Sequence, residues 1–130
     1  MSTKQVIVMR KDLGMRKGKM ISQGAHASLG CILNFISKTS VDGMERILTI
    51  PNQDVVDWLD GSFTKICLSV DSEDELIDIY KKAKESNLPC CLIEDNGLTE
   101  FHGIKTKTCC AIGPANSETI DSITGHLPLI

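Results

Sequence analysis

Apolar and polar residues alternate along the chain in blocks that predict strands and helices in turn. Short apolar runs rich in β-branched residues or cysteine are typical of buried strands. Longer stretches in which apolar residues recur every three or four positions are typical of amphipathic helices. The predicted strands cover residues 4–9, 64–70, 89–95 and 107–113, the last ended by Gly113-Pro114. The predicted helices cover residues 19 to about 37, a short stretch after Asn52, residues 74–86 and a segment ending near Ile123, and residues 40–63 are otherwise irregular.

The first predicted helix has two different sides. One side is an apolar stripe, formed by Ile21, Ala25, Ser28, Ile32 and Phe35. At roughly 100° per residue, a narrow polar stripe projects on the opposite side from the N-terminal turn onward. Its members are Lys19, Gln23, His26 and Gly30.

Capping residues mark the ends of the later helices. Ser72 and Glu75 form an S-x-x-E capping box, Asn116 or Ser117 can cap the last helix, and Gly125 stops it. Because strands and helices alternate, residues 1–130 are predicted to form a single α/β domain around a mostly buried four-stranded sheet.

Length and charge narrow the class of protein. The chain has 130 residues, of which 42% are hydrophobic and 24% charged, as in a globular domain. No apolar run reaches the roughly 18 residues of a membrane span and no cleaved signal is evident, so we expect a cytoplasmic protein without a membrane partner. The net charge of -3 conceals a basic end, because residues 1–40 carry +6 and residues 41–130 carry -9. Such a basic end is a candidate footprint for phosphates.

Cysteine and histidine do not form a metal or nucleophile motif. The six cysteines include two adjacent pairs inside predicted strands, and we expect reduced thiols packed in the core. Neither their spacing nor that of the three histidines matches a zinc site, and no GxSxG motif is present. No metal and no cofactor are predicted, which leaves direct attack by an oriented water as the route for a hydrolase.

Two segments carry candidate chemistry. Arg16-Lys17-Gly18-Lys19 leads into the first helix, where unpaired N–H groups and cations favour an anion such as phosphate, although the Walker pattern is missing. Asp95 and Thr99 follow the third strand in Asp-Asn-Gly-Leu-Thr, at a strand end where α/β proteins commonly place ligands. A solvated cationic loop and an ordinary turn are the alternative interpretations of these two segments.

Three long segments together carry a family resemblance. They are KQVIVMRKDLGMRKGKMISQGAHAS (4–28), LPCCLIEDNGLTEF (88–101) and TCCAIGPANSETIDSITGHLPLI (108–130). These segments resemble the Pth2-type peptidyl-tRNA hydrolases. The resemblance implies a mixed four-stranded sheet flanked by helices, a homodimer, and hydrolysis of the ester between a peptide and the terminal ribose of tRNA.

The resemblance also implies which residues act. The catalytic positions carry over as Lys19, Gln23, Asp95, Thr99 and Thr108. Peptidyl-tRNA would meet the basic end, and the RNA-binding candidates are Arg10, Lys11, Arg16, Lys17 and His26, the last of which matches the family's Q-x-x-H-A pattern.

The chain departs from the family pattern in two places. Gly14 and Arg16 replace the usual Lys and Gly before Lys-Gly-Lys, and FHGIKTKT occupies the place of a shorter loop that contains proline. The second departure leaves Thr106 as an alternative to Thr108. Two other functions therefore stay open: an inactive RNA- or protein-binding module of the same fold, and a hydrolase of another aminoacyl-tRNA.

Overall fold

The computed structural model describes residues 2–130. These residues form six strands and four helices. The order is β1 (Thr3–Arg10), α1 (Lys17–Leu33), β2 (Ile36–Thr39), β3 (Arg46–Leu48), α2 (Gln53–Asp60), β4 (Lys65–Val70), α3 (Glu73–Glu85), β5 (Cys90–Asp95), β6 (Thr106–Asn116) and α4 (Ser117–Thr124). No helix among these residues combines the length and the apolar character needed to cross a membrane.

Four strands form a mixed sheet in the order β4-β1-β6-β5. Strand β1 runs parallel to β4 and antiparallel to β6, and β5 runs antiparallel to β6. The predicted α/β class with a four-stranded sheet flanked by helices is therefore confirmed. The caps predicted at Ser72 and Asn116 are also confirmed, because each side chain accepts hydrogen bonds from the first turn of its helix.

Each face of the sheet packs into its own apolar cluster. Alternate residues of a strand point to opposite faces, so Val6 and Val8 pack with α3 and α4, whereas Ile7 and Met9 pack with α1. Adjacent cysteines divide in the same way, since Cys110 belongs to the first cluster and Cys109 to the second.

The cysteines are free thiols, as predicted, and five of the six are buried or half-buried. Cys67, on the edge strand β4, is the exception and is exposed. Burial raises the pKa of Cys109 to about 12 and that of Cys110 well above its usual range. Both thiols are therefore protonated at neutral pH and are poor nucleophiles.

The sides predicted for α1 were wrong. Ile21, from the apolar stripe, is 72% exposed, whereas Gln23, from the polar stripe, is buried. The residues of α1 that face the sheet are Gln23, Gly24, Ala27 and Cys31. Three of these four residues are small, and a Cβ added at Gly24 would be in ordinary van der Waals contact with Ile7, at 3.7 Å.

Three predicted boundaries were also wrong. Helix α1 begins two residues earlier, at Lys17, and ends at Leu33, because residues 36–39 pair with residues 46–48 as a hairpin in the segment predicted to be irregular. Strand β6 continues past Gly113-Pro114 to Asn116. Those two residues fall in an irregularity of the β1–β6 ladder, where proline is tolerated.

Candidate active site

Asp95 is the last residue of β5, and the turn after it holds its carboxylate in place. The backbone N–H of Gly97 donates to Asp95 Oδ2 at 2.8 Å, the local bond that favours Asp in such turns. Gly97 has φ of 79° and its backbone presses against Ile104, so a side chain at this position would be strained and would clash. The turn and the carboxylate are thus parts of one unit.

Lys19 reaches this carboxylate from the first turn of α1. Its Nζ lies 2.9 Å from Asp95 Oδ1 and donates to Thr99 Oγ1 at 2.7 Å. The two charged side chains are mostly buried, with 11% of Lys19 and 15% of Asp95 exposed. Lys19 and Asp95, which lie far apart in the chain, therefore form an ion pair at the C-terminal end of β5.

The pKa of Asp95 is lowered from its ordinary value. The hydrogen bond from Lys19 is the main cause, and the bonds from Gly97 and Gln23 act in the same direction against partial burial. Asp95 is consequently a carboxylate at neutral pH, and it is a weak base that accepts hydrogen bonds readily.

Gln23 and Thr108 continue the network into the core. The buried hydroxyl of Thr108 donates to Gln23 Oε1 at 2.6 Å, and Gln23 Nε2 donates to Asp95 Oδ1 at 3.2 Å. Because the Thr108 hydroxyl donates to the amide oxygen, the amide nitrogen of Gln23 faces the carboxylate. Thr106 bonds elsewhere, to the carbonyl of Ile104, so Thr108 is the threonine that the structure joins to the cluster.

The predicted RNA-binding residues are less uniform. Arg10 is committed to a fork with Asp12 at 2.6 Å and to the carbonyl of Lys107, with 11% of its side chain exposed. Arg16 is exposed and its Nε lies 3.7 Å from Glu100. Lys11, Lys17 and His26 are exposed. Arg10 and Arg16 both face a carboxylate, but Arg10 is the one whose side chain is mostly buried.

A cavity lies elsewhere, away from this cluster. It is a groove of about 670 Å³ on the β4 side of α1, between that helix, strand β1 and the Trp58–Phe63 pair. Its α1 lining consists of Lys17, Met20, Ile21, Gly24, Ala25, Ser28, Leu29 and Ile32. At about 100° per residue, these positions point away from Lys19 and Gln23. The groove and the polar cluster therefore occupy opposite sides of one helix.

Sequence reasoning missed Phe101 and Gly97 as members of the site. The ring of Phe101 lies 5.6 Å from Lys19 Nζ, and Gly97 supplies the backbone donor to Asp95. The Asn-Gly turn signal pointed to Gly97. An apolar residue two positions after Thr99 was the available signal for Phe101.

The fold and the cluster define an α/β protein whose Lys19–Asp95 ion pair is suited to orienting a water molecule for attack on a substrate. Comparison with known proteins agrees with this class: the family model described as peptidyl-tRNA hydrolase PTH2 matches residues 3–130. The chain is 43% identical over 127 residues to a peptidyl-tRNA hydrolase of Methanocaldococcus jannaschii, covering 98% of this chain and 99% of the relative. It is 41% identical over 130 residues to that of Sulfurisphaera tokodaii, covering all of both chains. The chain belongs to the PTH2 family of peptidyl-tRNA hydrolases, and the family predicted from the sequence is confirmed.

Proposed function

We propose that this chain hydrolyses the ester between a peptide, or an N-blocked amino acid, and the terminal ribose of tRNA through a water held at Asp95. Membership of the family supports the reaction. The observation that carries the mechanism is the cluster in which Lys19 and Gln23 donate to the Asp95 carboxylate. Thr99 is bonded to Lys19, and Thr108 is bonded to Gln23. No step of this mechanism requires a metal or a covalent intermediate.

Asp95 orients the attacking water. Oδ1 already accepts hydrogen bonds from Lys19 and Gln23, whereas Oδ2 accepts one, from the Gly97 N–H. Since a carboxylate oxygen can accept two hydrogen bonds, Oδ2 has room for a water. The lowered pKa of Asp95 favours aligning the water by accepting its hydrogen bond over removing its proton completely.

Lys19 stabilises negative charge that develops during the attack. Two of the three ammonium N–H groups are engaged by Asp95 and Thr99, which leaves one for the ester's carbonyl oxygen or the neighbouring phosphate. A donor fixed in advance of the reaction is typically worth about 3 to 4 kcal/mol in the transition state. Gln23, Thr99 and Thr108 keep the two charged groups in place, and the burial of Thr108 excludes direct contact with a substrate.

The tRNA phosphates bind at the basic start of α1. Lys11, Arg16 and Lys17 are exposed there, and the helix N-terminus adds partial positive charge. His26 is exposed farther along the helix, as a peripheral contact. For Arg10, also predicted to bind RNA, a phosphate would have to compete with Asp12, so we rank it below the other candidates.

An assay of the purified chain with N-acetylaminoacyl-tRNA and with free aminoacyl-tRNA tests this function. We expect released N-acetylamino acid in catalytic amounts and slow release from the free aminoacyl ester. Faster turnover of the free ester would indicate a hydrolase of another acyl group. Binding of tRNA without turnover of either ester would indicate the binding module.

We also infer that the chain forms a homodimer, as the family resemblance implies, and that the groove beside α1 is its contact surface. The groove is lined mainly by apolar side chains, and two of them, Ile21 and Leu29, are exposed. An exposed apolar patch on each copy suits the contact of a two-fold dimer, in which the same surface is used twice. Such a dimer would leave both polar clusters open, because they lie on the other side of α1.

Sedimentation of the chain and two variants tests the dimer. Leu29→Asp should yield monomers, because it buries a charge in the contact. Val41→Asp, on the exposed hairpin, is the matched control and should sediment as the parent does. A monomeric parent would refute the dimer.

The cytoplasmic location predicted from the sequence stays a prediction.

A further inference from the structure

Three consecutive residues of the loop after β5 lie on the first turn of α1. Thr99 accepts a hydrogen bond from Lys19, and Phe101 places its ring beside the same ammonium. Between them, Glu100 accepts a hydrogen bond from the backbone N–H of Arg16 at 3.4 Å and lies 3.7 Å from its side-chain Nε. We call residues 99–101 the strap.

The strap is held at its base as well as at its contacts. The N–H of Gly103 donates to the carbonyl of Gly97 at 2.8 Å, which closes the loop, and the N–H of Ile104 donates to the carbonyl of Phe101 at 2.9 Å. The Phe101 side chain is half-buried and packs against the apolar cluster beneath α1. The position of its ring is therefore fixed from both the backbone and the core side.

The Phe101 ring is a third neighbour of the Lys19 ammonium, beside its two hydrogen-bond acceptors. Asp95 and Thr99 bind two N–H groups of the ammonium, and the ring centroid lies 5.6 Å from Nζ, within the range of a cation–π contact. An apolar wall there also limits water around the ammonium, and a charge in a drier site acts more strongly on its neighbours.

We propose that Phe101 is a positioning residue for the hydrolytic reaction, acting by holding and shielding the ammonium of Lys19. This inference rests on the proposed function, since it assigns Phe101 a part in the same site. Phe101 need not touch the substrate. Its removal should lower the rate of the chemical step and leave tRNA binding almost unchanged.

Kinetics of Phe101→Ala in two backgrounds tests the inference. In the parent background, kcat should fall about tenfold with KM changed less than twofold, the scale of a partly desolvated cation–π contact. In the Lys19→Ala background the same substitution should not lower kcat further, because the ammonium that Phe101 contacts is absent. Phe101→Tyr should recover most of the lost kcat, and Ile104→Ala, an exposed side chain of the same loop, is the control for loop damage. Equal losses in both backgrounds would mean that Phe101 acts only through stability, and the inference would be wrong.

A second readout does not depend on turnover. Acetic anhydride should acetylate Lys19 slowly in the parent, and at least threefold faster in Phe101→Ala, relative to the exposed Lys38 in the same sample. Peptide mass spectrometry measures both sites. An unchanged ratio in a folded variant would overturn the inference. A parent that cannot hydrolyse peptidyl-tRNA would instead refute the proposed function, and the acetylation ratio would still decide the role of Phe101.

Discussion

On one side of α1, Lys19 and Gln23 are held against Asp95 and Thr108, whereas on the other side Ile21 and Leu29 are 72% and 56% exposed. This arrangement reverses the usual sides of an amphipathic helix. The polar side can turn inward because its groups find partners there, and a buried polar group costs little when it is hydrogen-bonded. The apolar side stays outward, and its residues line the groove next to Trp58 and Phe63. The comparison separates a chemical side of the helix, which holds the polar cluster, from a side that lines the groove.

Lys19→Ala should show the largest effect on the chemical side. We expect kcat to fall by about 10² to 10³ and tRNA binding to weaken, because the charge acts in both the ground state and the transition state. Lys17→Ala is the matched control, since Lys17 lines the groove on the other side. It should weaken binding and leave kcat within about twofold of the parent. Similar losses of kcat in both variants would remove the distinction between the two sides.

Salt dependence should report the basic start of α1. If Lys11, Arg16 and Lys17 each neutralise one phosphate, tRNA affinity should fall about 40-fold between about 50 and 200 mM salt. For Lys17→Ala, the same rise in salt should lower tRNA affinity only about 12-fold. Fluorescence anisotropy with labelled tRNA measures both slopes. A slope near zero in the parent would contradict phosphate binding by this patch.

Thr108→Val should show a smaller effect on the chemical side. The substitution keeps the shape but removes the donor that fixes the Gln23 amide, so kcat should fall about tenfold with little change in KM. Thr106→Val is the control, because its hydroxyl bonds only to the nearby carbonyl of Ile104. A loss in Thr106→Val with none in Thr108→Val would reverse the choice between the two threonines.

The pH profile should show the smallest change. The pKa of Asp95 is lowered in the folded protein, so the carboxylate stays charged below the ordinary Asp value of about 3.9. Its contribution to stability is present above that value and is lost as the pH falls through the lower folded pKa. Between about pH 5 and 8, protonation of Asp95 should therefore not change kcat. An acid limb above pH 5 that disappears in Asp95→Asn would contradict this environment.

The sequence predicted the elements better than their orientation. Strand β1, the Ser72 cap and the α/β order follow from local patterns, and the structure confirms them. The sides of α1 could not be read in this way, because Gln23 is buried only by virtue of Asp95 and Thr108, distant in the chain. The hairpin of β2 and β3 was missed because its strands are only four and three residues long, although Asp42-Gly43 is a turn signal.

Family resemblance, and not helical periodicity, selected the candidate site residues. It named Lys19, Gln23, Asp95, Thr99 and Thr108, which the structure brings into one hydrogen-bonded cluster. The same resemblance did not reveal that Arg10 is tied to Asp12, because that fork is a local contact of this chain. The roles assigned to these residues stay proposals until the variants are measured.

Single-turnover hydrolysis of N-acetylaminoacyl-tRNA by Asp95→Asn tests the central claim most directly. The amide keeps the size of the side chain but removes the charge that orients the water, so the rate should fall by roughly 10² or more. Affinity for tRNA should stay equal or become tighter, because a negative charge near the phosphates is gone. Asp60→Asn, at the exposed end of α2, is the matched control and should react at the parent rate. If Asp95→Asn hydrolysed the ester at near the parent rate and melted at the same temperature, Asp95 would be only a turn residue and the proposed mechanism would be wrong.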